Sequence, residues 1–156
     1  MPKNWRWFAI AAAVVVADQV AKWAVLGSFA PGERRALSDF FNLVLVLNKG
    51  AAFSFLADAP GWQTPLFVVF SLVAAVLVSV LLLRSPRRPM FCAGLALVLG
   101  GALGNLIDRL RLGQVVDFLD LHALGWHWPA FNLADSAITV GAGLLILEGV
   151  FHEKRR

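Results

Sequence analysis

Two aspartates, Asp117 in a VVDF run and Asp135 in FNLADS, flank a tryptophan-bearing segment, with Asn105, Asp108 and Arg109 close upstream. Two carboxylates brought together cannot both ionise readily and come to share a proton, so that one acts as base and the other as acid. Such a pair can hydrolyse a peptide bond. The ionised carboxylate deprotonates an attacking water while the protonated one donates to the carbonyl oxygen, with no covalent intermediate and no requirement for a metal or a nucleophilic serine. Each residue alone has a plainer reading. Asp117, between Val116 and Phe118, has apolar neighbours that disfavour its ionised form. Asp135 opens an apolar stretch, where a helix N-terminus is stabilised by a cap or a negative charge. Asn105, Asp108 and Arg109, three and four positions apart, share one side of a helix end, and Asp108 with Arg109 reads alone as a surface ion pair of about 0 to 1 kcal/mol.

The elements that must position these groups are set by a lipid solvent. The composition is 59% hydrophobic and 15% charged with a mean hydropathy of +0.72, beyond what a soluble chain of 156 residues carries. Crossing a hydrocarbon layer of about 30 Å takes roughly 20 apolar residues as helix, since every backbone polar group must be satisfied internally. Residues 65–83 and 90–107 carry no charge and read as spans. Residues 5–26 and 133–151 read as spans that hold ionisable groups, Asp18 and Lys22 in the first, Asp135 and Glu148 in the last. Such groups cost roughly 2.5 to 3.5 kcal/mol on insertion scales, so they face protein or water and carry function.

Basic residues give the orientation. Lys3 and Arg6 precede the first span, Arg84, Arg87 and Arg88 join the second to the third, and Lys154, Arg155 and Arg156 follow the fourth. The positive-inside rule makes these segments and both termini cytoplasmic, leaving residues 27–64 and 108–132 outside. The net charge of +4 is then explained by basic inner loops rather than by nucleic-acid binding. All six tryptophans fall near predicted span ends, which suits their amphipathic rings.

The opening basic residues and apolar run also fit a secretory signal peptide, but the apolar stretch resumes past Lys22 and reads as a retained span. Cys92, the one cysteine, excludes an intramolecular disulfide and reads as a small packing residue. His122, His127 and His152 lack metal-ligand spacing and no phosphate-binding glycine loop occurs, so neither metal nor cofactor is expected. Gly100 and Gly104 share a helix face that permits close packing. Residues 37–47, following Pro31 and Gly32, predict one or two β-strands outside the membrane. Residues 48–56 predict a short amphipathic segment on the membrane surface, and residues 48–61 a loop that closes over substrate. The chain reads as one domain, all-α membrane protein with a small β element.

DQxxK at Asp18 to Lys22, NKGAAFS from Asn48, GGALGNLIDR, VVDF and FNLADS, in that order over most of the chain, resemble the lipoprotein signal peptidases, the signal peptidase II family. The resemblance implies four transmembrane helices with a periplasmic β-cradle. It implies an aspartic endopeptidase of the bacterial inner membrane, facing the periplasm, that cuts a prolipoprotein just before its diacylglyceryl-modified cysteine. Asp117 and Asp135 would be the catalytic dyad. Asn48, Gly101, Asn105, Asp108, Arg109 and Asn132 would be polar support and substrate contacts, with Asp18 and Lys22 behind them. The implied partners are that substrate and membrane lipids, with the protein a monomer. Two rival readings compete: a four-helix proton-coupled exporter working through Asp18, and a structural assembly factor whose outer carboxylates only cap and solvate. Polar residues concentrated at one surface beside two long outer segments favour the peptidase.

Overall fold

The computed structural model describes residues 4–50, 60–84 and 88–153. Most of the segment expected to lie on the membrane surface (48–56), and most of the loop expected to close over substrate (48–61), fall on residues 51–59 and lie outside the described residues; Asn48, at the start of both, is instead the last residue of a strand. Helix α1 (Trp5–Ser28) leads into strands β1 (Arg34–Ser38) and β2 (Phe41–Asn48). Helices α2 (Gln63–Arg84) and α3 (Pro89–Leu112) follow, then β3 (Val115–Ala123), β4 (Trp126–His127) and α4 (Leu133–Glu153). All four helices are long and apolar enough to cross a membrane. Their outward faces are apolar: Val69, Phe70, Val76 and Leu77 of α2 are each more than half exposed, which lipid tolerates and water does not.

Helix α3 is the hub, in contact with α1, α2 and α4. Glycines set how closely its neighbours approach. A Cβ on Gly94 would stand 2.8 Å from the Gly141 carbonyl oxygen and one on Gly141 2.7 Å from that of Gly94, so α3 and α4 meet backbone to backbone. Gly101 continues this seam against the Ala134 carbonyl and Ile138, while Gly100 faces Ala11 and Val14 of α1. At the end of the bundle away from the sheet, Trp7, Ala11, Leu82, Cys92, Leu95, Ala96 and Leu99 form one core cluster. There Asn4 donates to the Leu82 carbonyl at 2.9 Å and Arg88 pairs with Glu148 at 3.1 Å, so the start of α1 and the last turns of α4 lie at the same end.

The strands form one antiparallel sheet in the order β1-β2-β3-β4. Val44 and Leu45 are consecutive yet both buried, which regular alternation forbids; the β2–β3 register shifts there, between Leu43 and Val46. Beyond the bulge Val46 pairs with Asp117 and Asn48 with Val115, which brings the Asn48 side chain beside Asp117. Val25 of α1 packs with Leu45, Val116 and Phe118, fastening the sheet to the bundle.

Helix α3 carries Asn105, Asp108 and Arg109 in its last turns, as their spacing predicts, and runs past the uncharged stretch 90–107 to Leu112. It ends where Gly113 takes a left-handed conformation (φ 70°) and donates to the Arg109 carbonyl. Two expectations need correction. The β element is larger than predicted, since residues 115–123 form its central strand with β2. Trp7 is not an interfacial anchor: it is 7% exposed and belongs to the core, whereas Trp5, Trp23, Trp62, Trp126 and Trp128 are exposed.

Candidate active site

The site begins with the N-terminus of α4. Asn132 precedes the helix and Asp135 is its third residue. The Asn132 Oδ1 accepts from the Asp135 backbone N–H at 2.9 Å, and Asp135 Oδ2 accepts from the Asn132 backbone N–H at 3.2 Å. This reciprocal cap satisfies two donors the helix leaves open, with aspartate where glutamate is usual. It also fixes the Asn132 amide, whose nitrogen must turn the other way. That nitrogen lies 2.7 Å from Asp117 Oδ1 and 3.2 Å from both the Val116 carbonyl and Asn105 Oδ1.

Asp117 comes from β3 and is 2% exposed. Its second oxygen accepts from Asn48 Nδ2 at 3.0 Å. Burial pushes its carboxyl up and the Asp135 charge adds to this, while the Asn48 and Asn132 hydrogen bonds and the Lys22 charge pull it back, leaving it at about 7. At neutral pH the group is thus divided between its acid and base forms.

Beneath the aspartates lies a buried polar layer. Lys22, 2% exposed, places its three ammonium hydrogens on three acceptors: Asp18 Oδ2 at 2.8 Å, Asp108 Oδ2 at 2.8 Å and Asn105 Oδ1 at 2.9 Å. With its oxygen held by Lys22, the Asn105 amide donates to Asp135 Oδ1 at 2.8 Å. Asp18, fully buried, also accepts from the Ala134 N–H at 2.9 Å, a further open donor in the first turn of α4. Asp108 Oδ2 accepts from the Val116 N–H at 3.1 Å, anchoring β3 one residue before Asp117. A Cβ on Gly104 would lie 2.7 Å from Asp18 Oδ2, so glycine there leaves room for the carboxylate.

The structure thus brings Asp117, Asp135, Asn48, Asn105, Asn132, Asp108, Asp18 and Lys22 into one hydrogen-bonded cluster. Arg109 stands at its flank, donating to the Gly50 carbonyl at 3.0 Å with its guanidinium 5.2 Å from the Phe67 ring centre. Gly101 lies in the α3–α4 seam, one turn below Asn105. Sequence reasoning missed Gln19, whose amide nitrogen donates to Asp108 Oδ1 at 2.8 Å and to the Gly104 carbonyl at 3.1 Å. Its place between Asp18 and Lys22, polar inside an apolar span, was the available signal. Among the described residues no group of three histidines, cysteines or carboxylates is arranged to hold a metal. The cluster offers two differently held carboxylates at the sheet-bearing end of the helix bundle, suited to proton transfer around an attacking water.

Residues 10–151 match a family model described as signal peptidase (SPase) II. A lipoprotein signal peptidase of Paraburkholderia phymatum is 57% identical over 150 residues, which cover 96% of this chain and 88% of that protein. One of Janthinobacterium sp. strain Marseille is 53% identical over 142 residues, covering 91% and 86%. Among solved structures, a bacterial membrane enzyme determined by the in meso method at 2.3 Å resolution has a TM-score of 0.85 and 27% identity, covering 97% of this chain and 91% of that one. A second, at 1.9 Å, has a TM-score of 0.80 and 30% identity, covering 91% and 90%.

Proposed function

The chain belongs to the signal peptidase II family, and from that premise we propose that Asp117 and Asp135 are the proton-sharing pair of an aspartic endopeptidase. The observation that carries this reading is Asn132, which holds both carboxylates at once, Asp117 through its side-chain amide and Asp135 through its backbone N–H. The chain is a peptidase of the lipoprotein-processing type. Its substrate is a prolipoprotein, cut just before the diacylglyceryl-modified cysteine. A signal peptide is itself an apolar helix and the acyl chains remain in lipid, so the scissile bond lies near the outer leaflet, level with the outer ends of α3 and α4.

One carboxylate accepts a proton from water as the water oxygen attacks the scissile carbonyl carbon, and the other carboxyl donates its proton to the carbonyl oxygen. The resulting gem-diol collapses: the C–N bond breaks, the leaving nitrogen takes the proton first removed from water, and the second carboxyl recovers its own from the collapsing hydroxyl. The pair ends as it began, with one proton between two oxygens. A carboxyl held at about 7 suits this role, since either protonation state is reached at neutral pH. Asn48, Asn105 and Asn132 hold the carboxylates in place, and Arg109 and Gly50 border the space where the substrate backbone would lie.

By the positive-inside rule the bundle end carrying Arg6, Arg84 and Arg88 is cytoplasmic, and the sheet and both aspartates face the periplasm. The chain works there as a single domain and a monomer in the bacterial inner membrane. The exporter reading gains no support, because Asp18 is fully buried and bound to Lys22 and the Ala134 N–H.

The test is cleavage of a diacylglyceryl-modified prolipoprotein by the purified protein in detergent with EDTA present. Wild type should cleave, while Asp117→Asn and Asp135→Asn, folded and inserted, should each lose on the order of 10²- to 10⁴-fold. Retained activity in either variant overturns the dyad.

A further inference from the structure

Strands β3 and β4 are joined by a two-residue turn, Leu124 and Gly125, closed by the Ala123–Trp126 pair. Both turn residues have positive φ, 51° for Leu124 and 82° for Gly125. Such a turn selects asparagine or aspartate followed by glycine, because a bulky side chain in the left-handed region is strained. Here the first position is leucine, and its side chain is as exposed as in an isolated residue, at 108%. In water the choice is unfavourable twice over, in backbone conformation and in apolar exposure.

The surroundings of the turn follow the same pattern. Phe40, Leu121, Trp126 and Trp128 are between 42% and 63% exposed, and with His122 and Ala123 they line an open cavity of about 270 Å³. The two tryptophan rings meet edge to face with centres 5.8 Å apart. His122 stacks on His127, and its Nε2 is buried with no hydrogen-bond partner among the described residues. Arg34, half exposed, lies close by on the Asp120 carboxylate at 3.2 Å.

The helix ends nearest in sequence to this hairpin are also apolar and exposed. Leu110 and Leu112, in the last turn of α3, are 64% and 41% exposed, and Leu133 at the start of α4 is 37% exposed. Trp128 is only five residues from Leu133, which limits their separation to about 17 Å. The hairpin is therefore tethered at both ends to helix ends that emerge from the bilayer.

We infer that the β3–β4 hairpin inserts its tip into the outer leaflet, with Leu124 and Trp126 among the acyl chains and headgroups, and membrane phospholipid as the occupant of the cavity beside it. Leucine at the turn then exchanges a small conformational cost for transfer out of water. Tryptophan and arginine suit the headgroup level, where the arginine meets phosphate and the indole bridges apolar and polar layers. Because β3 carries Asp117 at its other end, the inserted tip would fix how the sheet sits on the membrane and so the depth of the carboxylate. Insertion of the tip depends on the sheet and its lipid alone, whether or not the aspartate pair is catalytic.

The test places an environment-sensitive fluorophore at the turn, using Leu124→Cys in a Cys92→Ala background, with the full chain in phospholipid nanodiscs and no substrate. The expected result is blue-shifted emission, quenched by spin-labelled acyl chains and insensitive to aqueous iodide. Water-like emission quenched by iodide overturns the inference. Burial that develops only when prolipoprotein is added assigns the patch to substrate and also overturns it, as does burial lost when each disc holds one copy. Leu124→Asn supplies the second readout, since asparagine suits the turn and does not threaten folding. With enzyme and substrate in one bilayer its KM should rise while kcat holds, and an unchanged KM counts against the inference.

Discussion

The ammonium of Lys22 lies 2.9 Å from Asn105 Oδ1, and that single contact decides which end of the Asn105 amide faces Asp135. Only the oxygen can accept from an ammonium, so the NH₂ group points at the carboxylate and donates to it at 2.8 Å. Lys22 is itself held by Asp18 and Asp108, which neutralise it where water does not reach. Asp18 also binds the first turn of α4, and Asp108 the start of β3. One buried lysine thereby ties together the two elements that carry the aspartates.

Lys22→Met should accordingly be severe. Removing one partner from a buried ionic group leaves uncompensated charge and costs about 3 to 5 kcal/mol. Thermal unfolding in detergent should fall steeply, and the double variant Asp18→Asn with Lys22→Met should lose less than the two single losses added together. Strictly additive losses would show that the pair is not coupled.

How far the sequence told this in advance differs by element. Uninterrupted apolar runs placed α2 and α3 because lipid demands them, and the polar residues inside α1 and α4 stood out for the same reason. Strand β3 was not legible: its turn pairs Gly125 with a leucine instead of asparagine or aspartate, and its partner β2 lies some 70 residues away in sequence. Asn132 was recognised only through resemblance, since nothing in FNLADS reveals that one amide serves both a helix cap and a carboxylate on another element. Gln19 escaped because its partners, Asp108 and Gly104, come from α3 and no local spacing announces them. Asp117, by contrast, was marked by its own neighbours, and its burial follows from the valine and phenylalanine beside it.

The two duties of Asn132 can be separated. Serine keeps an oxygen able to accept from the Asp135 N–H but has no amide to donate to Asp117, whereas alanine loses both. Asn132→Ala should therefore unfold at lower temperature than Asn132→Ser, by about 1 kcal/mol of cap. Both should lose on the order of 10²-fold in cleavage, through misplacement of the aspartates. A fully active Asn132→Ser would remove Asn132 from the positioning scheme.

Two glycines of the bundle make opposite predictions. A Cβ at Gly101 collides with the Ala134 carbonyl, and relief requires α4 to shift next to Asp135. Gly101→Ala should lower both thermal stability and cleavage, by about 1 to 3 kcal/mol in stability. Gly143, in α4 itself, has nothing within 4 Å of the position a methyl group would take. Gly143→Ala should hold activity and gain about 0.5 to 1 kcal/mol, because alanine costs less to order in a helix. Equal behaviour of the two variants in thermal melts would refute the close α3–α4 seam.

Asp117 also predicts how stability depends on pH. Its carboxyl is held at about 7, against 3.8 for an unperturbed group. Well below pH 4 both folded and unfolded chains carry the proton, and Asp117 contributes nothing to the pH dependence. As pH rises from about 4 to 7 the unfolded chain ionises while the folded one keeps its proton, so stability falls by up to about 1.4 kcal/mol per pH unit. Above 7 both states ionise and the penalty levels off. Asparagine at this position does not titrate, although it forfeits one of the hydrogen bonds from Asn48 and Asn132. The melting temperature of Asp117→Asn should thus lie at or below that of wild type near pH 4 and overtake it by pH 8. An inactive variant more stable than its parent is what a carboxylate held for chemistry rather than for folding would leave behind. Melting curves for the two proteins that stay parallel from pH 4 to 8 would mean that Asp117 ionises normally and would remove the basis for a shared proton.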